Sequence, residues 1–294
     1  MIKIDMLIAG AQKTGTSSLA RYLGQHPDVE MHPSREFPYF VDDELYQLPF
    51  DKVFRDFYQV RHDPGKFICA KSVGVLDQPG VISRVYKHNP DMKLVVLLRD
   101  PVDRAYSAYW YARRMGFEDA PSFEEAIRRN DRIGTGSIYQ RHCAYLQRGF
   151  YFDHLQKVFE FFPSDHLLIY LVEDLKSRVA EVCRDLYKAL GADPSFSPDY
   201  SVRYNVSAES RSDTLSMLMT DTSRLKSCLR LLLPKKVRQK LKGTLRQLNE
   251  RPFSPPEMLP ETERFLREYF SEPNLKLEEL LQRDLARWGT KVNE

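Results

Sequence analysis

The 294-residue sequence has little cysteine, only two tryptophans and no long apolar run. Its four cysteines, Cys69, Cys143, Cys183 and Cys228, lie far apart and form no Cys-x-x-Cys pair. A disulfide framework or a zinc site is therefore not expected, and a reducing compartment is the simpler setting. No stretch approaches the roughly 18 apolar residues that a membrane span needs. A signal-peptide pattern is also missing, because apolar residues begin at Ile2 and a glycine-bounded loop already opens at Gly10. These absences predict a cytoplasmic protein. What is present is a composition 42% hydrophobic and 29% charged, enough for a substantial core and unlike a disordered or collagen-like chain.

The net charge of +3 hides an uneven distribution. Of the 44 Lys and Arg, ten fall in Arg224–Arg251 beside a single acid, Glu250, which leaves 34 basic against 40 acidic residues elsewhere. A mildly acidic body thus carries one strongly basic segment. Such a body repels phosphate backbones, so no nucleic-acid partner is expected.

Strand and helix patterns alternate along the chain. Ile4–Ala9 is a short apolar run ending in Gly10, as a buried parallel strand requires. A loop follows to Gly15, then a helix over Thr16–Leu23 with Thr14 or Thr16 as its cap. Further strands are predicted at Phe67–Ala70, Leu94–Leu98 and Leu167–Val172. Helices are predicted from Pro101 through Met115, from the capping box at Ser122-Phe123-Glu124-Glu125, from Phe152 to Phe162, and over Val179–Leu190. Two more close the chain near Glu261–Phe270 and Leu275–Trp288. The pattern predicts one α/β domain over 1–294, a three-layer sandwich around a central parallel sheet with P-loop-like nucleotide-binding topology.

Gly10-Ala11-Gln12-Lys13-Thr14-Gly15-Thr16-Ser17 sits between a strand and a helix, where backbone N–H groups can cradle a phosphate. The Walker pattern needs lysine directly after the second glycine, then Ser or Thr for magnesium. Here Thr16 takes the lysine position and the lysine has moved back to Lys13. The loop is built for a phosphate without a magnesium-bridged triphosphate. A second cluster, Arg99-Asp100-Pro101-Val102-Asp103-Arg104-Ala105-Tyr106-Ser107, follows the Leu94–Leu98 strand, at the strand end where open α/β sheets bind ligands. If that strand lies beside the first, Arg99 and Ser107 are placed to grip a second phosphate. An ion pair at a helix N-terminus is the other reading of Arg99.

These two signatures resemble those of the sulfotransferases that use 3′-phosphoadenosine-5′-phosphosulfate (PAPS). His26-Pro27-Asp28-Val29, Glu36-Phe37-Pro38-Tyr39-Phe40, Lys71-Ser72, Arg148-Gly149-Phe150-Tyr151 through Phe162-Pro163, and Leu266 through Trp288 resemble the heparan-sulfate-type branch and its bacterial relatives. The resemblance implies PAPS as donor, 3′-phosphoadenosine-5′-phosphate (PAP) as product, no metal, and a hydroxyl-bearing acceptor on a carbohydrate or glycolipid. It puts the 5′-phosphate against Lys13, Gly15, Thr16, Ser17 and Ser18, and the 3′-phosphate against Arg99 and Ser107. It assigns the catalytic base to Glu36, charge stabilisation to Lys13, and a supporting role to Lys71. Tyr151 matches a tyrosine that packs near the cofactor, although core packing explains it equally. The branch commonly has histidine two residues after the glutamate. This chain has Pro38 there, and His32 is the histidine that stands closest before Glu36. The family's late basic loop has no clean match; Arg203, Tyr204, Asn205 and Arg211 occupy that region, and Arg211 is carried as a cofactor contact.

The segment 224–251 reads as a basic amphipathic helix. Its readings stay open: packing on the body, covering the active-site mouth, holding an anionic acceptor, or peripheral contact with an anionic membrane. Two rival functions are a P-loop-type kinase, against which the shifted lysine counts, and a non-catalytic anion- or membrane-binding protein, which leaves Lys13, Glu36 and Arg99 unexplained.

Overall fold

The computed structural model describes residues 2–32, 35–59, 63–130, 142–201, 208–210, 250–252 and 255–289. The chain divides into two units, one of residues 1–100, 150–205 and 271–294, the other of residues 101–149 and 206–270.

The first unit is built on a parallel sheet of five strands, β1 (Met6–Gly10), β2 (Val29–Met31), β3 (Phe67–Lys71), β4 (Lys93–Leu98) and β5 (Leu167–Leu171), in the order β2-β3-β1-β4-β5. The strands are short apolar runs buried on both faces, as a covered parallel sheet demands. Alternate residues point to opposite sides. Leu7, Leu94, Val96 and Leu98 pack on one face with α3 (Phe50–Tyr58), α4 (Val81–His88) and α7 (Tyr151–Phe159). Met6, Ile8, Val95 and Leu97 pack on the other with α1 (Thr16–Leu23) and α9 (Val179–Leu190). This is the three-layer sandwich that the sequence pattern predicts. A four-residue helix, α2 (Asp43–Tyr46), is capped by Asp42, whose carboxylate accepts the N–H groups of Glu44 and Leu45.

β1 is the central strand, with β3 on one side and β4 on the other. Its register with β4 shifts between Ile8 and Gly10, a bulge that turns the chain out of the sheet where the loop begins. A side chain on Gly10 would stand 2.8 Å from the Leu76 Cβ, so the turn accepts only glycine. The Ala11 N–H donates to the Leu97 carbonyl at 2.7 Å and ties the emerging loop to β4.

The second unit contains α5 (Pro101–Met115), α6 (Phe123–Asn130) and an antiparallel pair, β6 (Ala208–Ser210) with β7 (Glu250–Pro252). The α6 start is as predicted, with the Ser122 hydroxyl accepting the Glu125 N–H at 3.2 Å. Arg104 is fully buried and donates to the Tyr145 carbonyl. The long helix α10 (Pro260–Leu281) begins in this unit and ends in the first. A six-residue helix, α8 (Val172–Ser177), follows β5 directly.

Five expectations need correction, the first being the helix expected from Phe152 to Phe162, which is α7 and ends at Phe159. The two C-terminal helices are one, α10, which runs through Pro273, with a single 3₁₀ turn at Ala286–Trp288. The helix α1 is capped by neither Thr14 nor Thr16: its N-cap is Gly15, in the left-handed region at φ 88°, with no side-chain cap. Thr14 instead donates its hydroxyl to the Ala11 carbonyl at 2.7 Å and braces the loop internally. Val172 ends the fourth predicted strand one residue early, because it starts α8. Finally, β2, α3 and α4 carry no counterpart among the predicted elements.

Candidate active site

The loop between β1 and α1 leaves the C-terminal edge of the sheet at its central strand. Gly15 and Lys13 both take left-handed backbone conformations, at φ 88° and 69°. For lysine that conformation is uncommon and is retained where the surrounding structure demands it. No acid sits in the first turn of α1, and no side chain caps it. The hydroxyl residues Thr16, Ser17 and Ser18 thus open a helix N-terminus that carries no acid in its first turn, with Lys13 in the loop just before it, as an anion cradle requires.

Lys71 ends β3, next to that cradle. It is only 4% exposed, and its Nζ donates to the Ser17 Oγ at 3.0 Å. Burial pulls its pKa down, the nearby Glu36 carboxylate pulls it back up, and Arg21 pushes it down again; the net direction is downward. Arg21 stands four residues after Ser17, one helical turn along the same face of α1.

Glu36 reaches the same place from the loop after β2. The Phe37 N–H donates to the Lys71 carbonyl at 2.7 Å, and the Val73 N–H donates to Glu36 Oε2 at 3.3 Å. The exposed carboxylate is thereby set beside the end of β3. The aromatic run that follows is an anchor: Phe37, Tyr39 and Phe40 are buried among Phe50, Phe54 and Phe57 of α3. His32 also lies within electrostatic reach of Lys71. Its Nδ1 accepts the Arg35 N–H at 3.1 Å, and burial, then the Arg35 charge, then Lys71 lower its pKa against its own backbone hydrogen bond. His32 follows the last residue of β2, and its ring packs beside Phe57 at 4.9 Å.

Arg99 is half-buried just past the end of β4, the strand beside β1, so the condition for a second phosphate grip is met on the sheet side. Tyr151 is 1% exposed, and its hydroxyl donates to the Arg99 carbonyl at 2.9 Å. It holds the backbone that presents Arg99. Ser107 is half-buried in the second turn of α5, in the other unit. Arg211 lies outside the described residues, as do Arg203, Tyr204, Asn205 and the basic segment except Glu250 and Arg251 of β7.

Three contributions to the site were not anticipated. The Val73 N–H carries no side-chain signal and is invisible in a sequence. Arg21 was detectable from its helical spacing to Ser17. The third is Leu175, whose Cδ2 comes within 3.2 Å of the position a β-carbon on Gly15 would take. Among the described residues, no group of three or more His, Cys, Asp or Glu is placed to hold a metal ion.

A parallel sheet whose central strand feeds a glycine-bounded loop at a helix N-terminus defines an α/β protein of P-loop-like topology. The Sulfotransferase domain model matches residues 3–272, and the chain belongs to that family. It is 30% identical over 208 residues to the bifunctional heparan sulfate N-deacetylase/N-sulfotransferase 2 of Homo sapiens, covering 68% of this chain and 23% of that protein. The corresponding enzyme 3 of Mus musculus is 28% identical over 200 residues, covering 65% and 22%. This chain thus spans less than a quarter of the length of the curated relatives it matches. A solved sulfotransferase from Alicyclobacillus acidocaldarius superposes with a TM-score of 0.69 at 25% identity, covering 98% of this chain and 99% of the other.

Proposed function

We propose that the chain, acting as one sulfotransferase domain over 1–294, moves the sulfuryl group of PAPS to a hydroxyl of a carbohydrate or glycolipid acceptor. The observation that carries this reading is the position of Lys71, which touches the phosphate loop through Ser17 and feels the charge of Glu36. One buried cation thus joins the end of the site that holds a phosphate to the end that holds a base. The residues fit the donor: N–H groups, hydroxyls and two lysines, with no carboxylate in the first turn of α1.

When bound, PAPS supplies a sulfuryl group on a phosphate leaving group. Lys13, Gly15, Thr16, Ser17 and Ser18 hold the 5′-phosphate, and Lys13 with Lys71 offsets the negative charge that grows on the leaving oxygen. Arg99 takes the 3′-phosphate, with Tyr151 fixing its backbone, and the family resemblance adds Ser107 and Arg211 to that role. The Glu36 carboxylate accepts the acceptor's proton, and the Val73 N–H keeps it oriented while it does so. This site needs no metal, since the lysines supply the positive charge.

The relatives' names support a glycan acceptor, and their N-sulfotransferase half favours a second reading in which an amine replaces the hydroxyl. A cytoplasmic setting is supported by the three buried free thiols Cys69, Cys143 and Cys183. The basic segment 224–251 is assigned to the acceptor or to an anionic membrane surface on its charge alone.

A thermal-shift comparison separates this reading from a kinase. PAP at about 100 times its Kd should raise the melting temperature by on the order of 5 °C. Stabilisation by ATP with Mg²⁺ but not by PAP would sink it. Labelled PAPS offered to glycans with free hydroxyls, glycans with free amines, glycolipids and phenols then identifies the acceptor class.

A further inference from the structure

Leu175 Cδ2 lies 3.2 Å from where a β-carbon on Gly15 would stand, and the residue before it, Asp174, is the centre of an ion-pair network. Asp174 is 5% exposed. Its Oδ2 accepts from Arg283 Nη1 at 2.6 Å and from the Leu171 N–H at 2.8 Å; its Oδ1 accepts from Arg283 Nη2 at 2.9 Å and lies 3.0 Å from Arg178 Nη2. Burial alone would push this carboxyl up, but the hydrogen bonds from Arg283, the Leu171 amide and Arg178 outweigh it and hold it at about 2. The two-pronged Arg283 grip fixes direction as well as charge, which a lysine cannot reproduce. It fastens the base of α8 and thereby the seat of Leu175.

The same C-terminal turn reaches the other end of the donor site. Five residues after Arg283 stands Trp288, 3% exposed, with its ring 6.3 Å from that of Tyr151. Tyr151 in turn donates to the Arg99 carbonyl. The turn is itself braced: Asn274 Nδ2 donates to the Trp288 carbonyl at 3.0 Å, and the Leu285 N–H donates to the Glu278 carboxylate at 2.8 Å.

We propose that the C-terminal turn Arg283–Trp288 is a positioning device for the donor site, setting Gly15 through Asp174 and Leu175 and the Arg99 backbone through Trp288 and Tyr151. It rests on the sulfotransferase reading above, and it makes Arg283 and Leu175 positioning residues that touch no substrate.

The test is PAP titration of the full chain by calorimetry, with wild type, Arg283→Met, Arg283→Lys, Leu175→Ala and the Arg283→Met/Leu175→Ala double variant. Arg283→Met and Leu175→Ala should each weaken PAP binding about tenfold, and the double variant should fall short of the roughly hundredfold product because both act through one contact. Arg283→Lys should recover part of the loss. Folded variants that bind PAP within about twofold of wild type overturn the proposal, whatever happens to their melting temperature, and so do effects that multiply in full. Should Arg283→Met fail to fold, Leu175→Ala alone decides by the same criterion. A wild-type chain that binds no PAP overturns the sulfotransferase reading instead.

Discussion

Acidification should destabilise the protein through His88, and the size of the effect follows from where that ring sits. His88 closes α4. Its Nε2 accepts the Ile4 N–H at 3.1 Å, while Asn89 Nδ2 donates to the Ile4 carbonyl at 2.9 Å, so both backbone groups at the approach to β1 are taken by this helix end. The ring packs on Phe50 at 4.1 Å and Phe40 at 5.4 Å. Burial, helped by the Lys3 charge and opposed by Asp51, lowers its pKa to about 4. In the unfolded chain the group titrates near 6.5. Between those values the unfolded state binds a proton that the folded state refuses, so stability is complete above about pH 6.5 and drains away toward pH 4. The loss from this one group is about 3 kcal/mol at pH 4. Urea unfolding of wild type and His88→Gln at pH 7, 5.5 and 4 measures it. Glutamine keeps an acceptor for the Ile4 N–H but does not titrate, so its stability should fall by about 3 kcal/mol less over that range. Parallel pH profiles for the two proteins would refute the reasoning.

Glu36→Gln should keep PAP affinity and lower turnover by about 10²–10⁴-fold, the usual range for a lost general base, as read by labelled sulfuryl transfer. Turnover near that of wild type would move the base elsewhere. Gly15→Ala must hold a side chain at φ 88° with Leu175 only 3.2 Å away, so it should cost about 1–2 kcal/mol in a denaturant titration and weaken PAP binding as well. An unchanged unfolding midpoint would mean that the loop accommodates a β-carbon.

The first strand, the phosphate loop and α1 were legible because every local signal agreed: an apolar run, two glycines, then helical spacing. The α1 limits came out at Thr16 and Leu23, as predicted. Its cap did not, because Thr14 spends its hydroxyl on the Ala11 carbonyl and the left-handed Gly15 takes over. β2 escaped notice since three residues after His26-Pro27-Asp28 give no measurable alternation. Two helices were expected near Glu261–Phe270 and Leu275–Trp288, yet α10 runs unbroken through Pro273, with Phe270 and Leu277 fully or almost fully buried on either side of it. Burial there outweighs the hydrogen bond that proline removes. In the candidate site, the family resemblance nominates Lys13, Glu36, Lys71 and Arg99, whereas Arg21 and the way these side chains are aligned do not follow from it. The Val73 amide, the Leu175 contact and the tyrosine hydroxyl on the Arg99 carbonyl link residues distant in sequence, and such pairings exist only once the chain has folded.

The end of β1 is stitched to its neighbours on both sides: Ser72 N–H to the Ile8 carbonyl, Leu76 N–H to the Ala9 carbonyl, Ala11 N–H to the Leu97 carbonyl. Glu36 stands in a loop outside the sheet, where the Phe37 N–H donates to the Lys71 carbonyl and the Val73 N–H to the Glu36 carboxylate, and where Phe37, Tyr39 and Phe40 are buried in the core. The two halves of the site therefore differ in how far a substitution reaches. Changes in the loop after β1 disturb the middle of the sheet. Substitutions in the described chain between Arg35 and Gln59 should change the surroundings of the Glu36 carboxylate while leaving the loop between β1 and α1 in place, so acceptor preference and PAP affinity should respond to them separately.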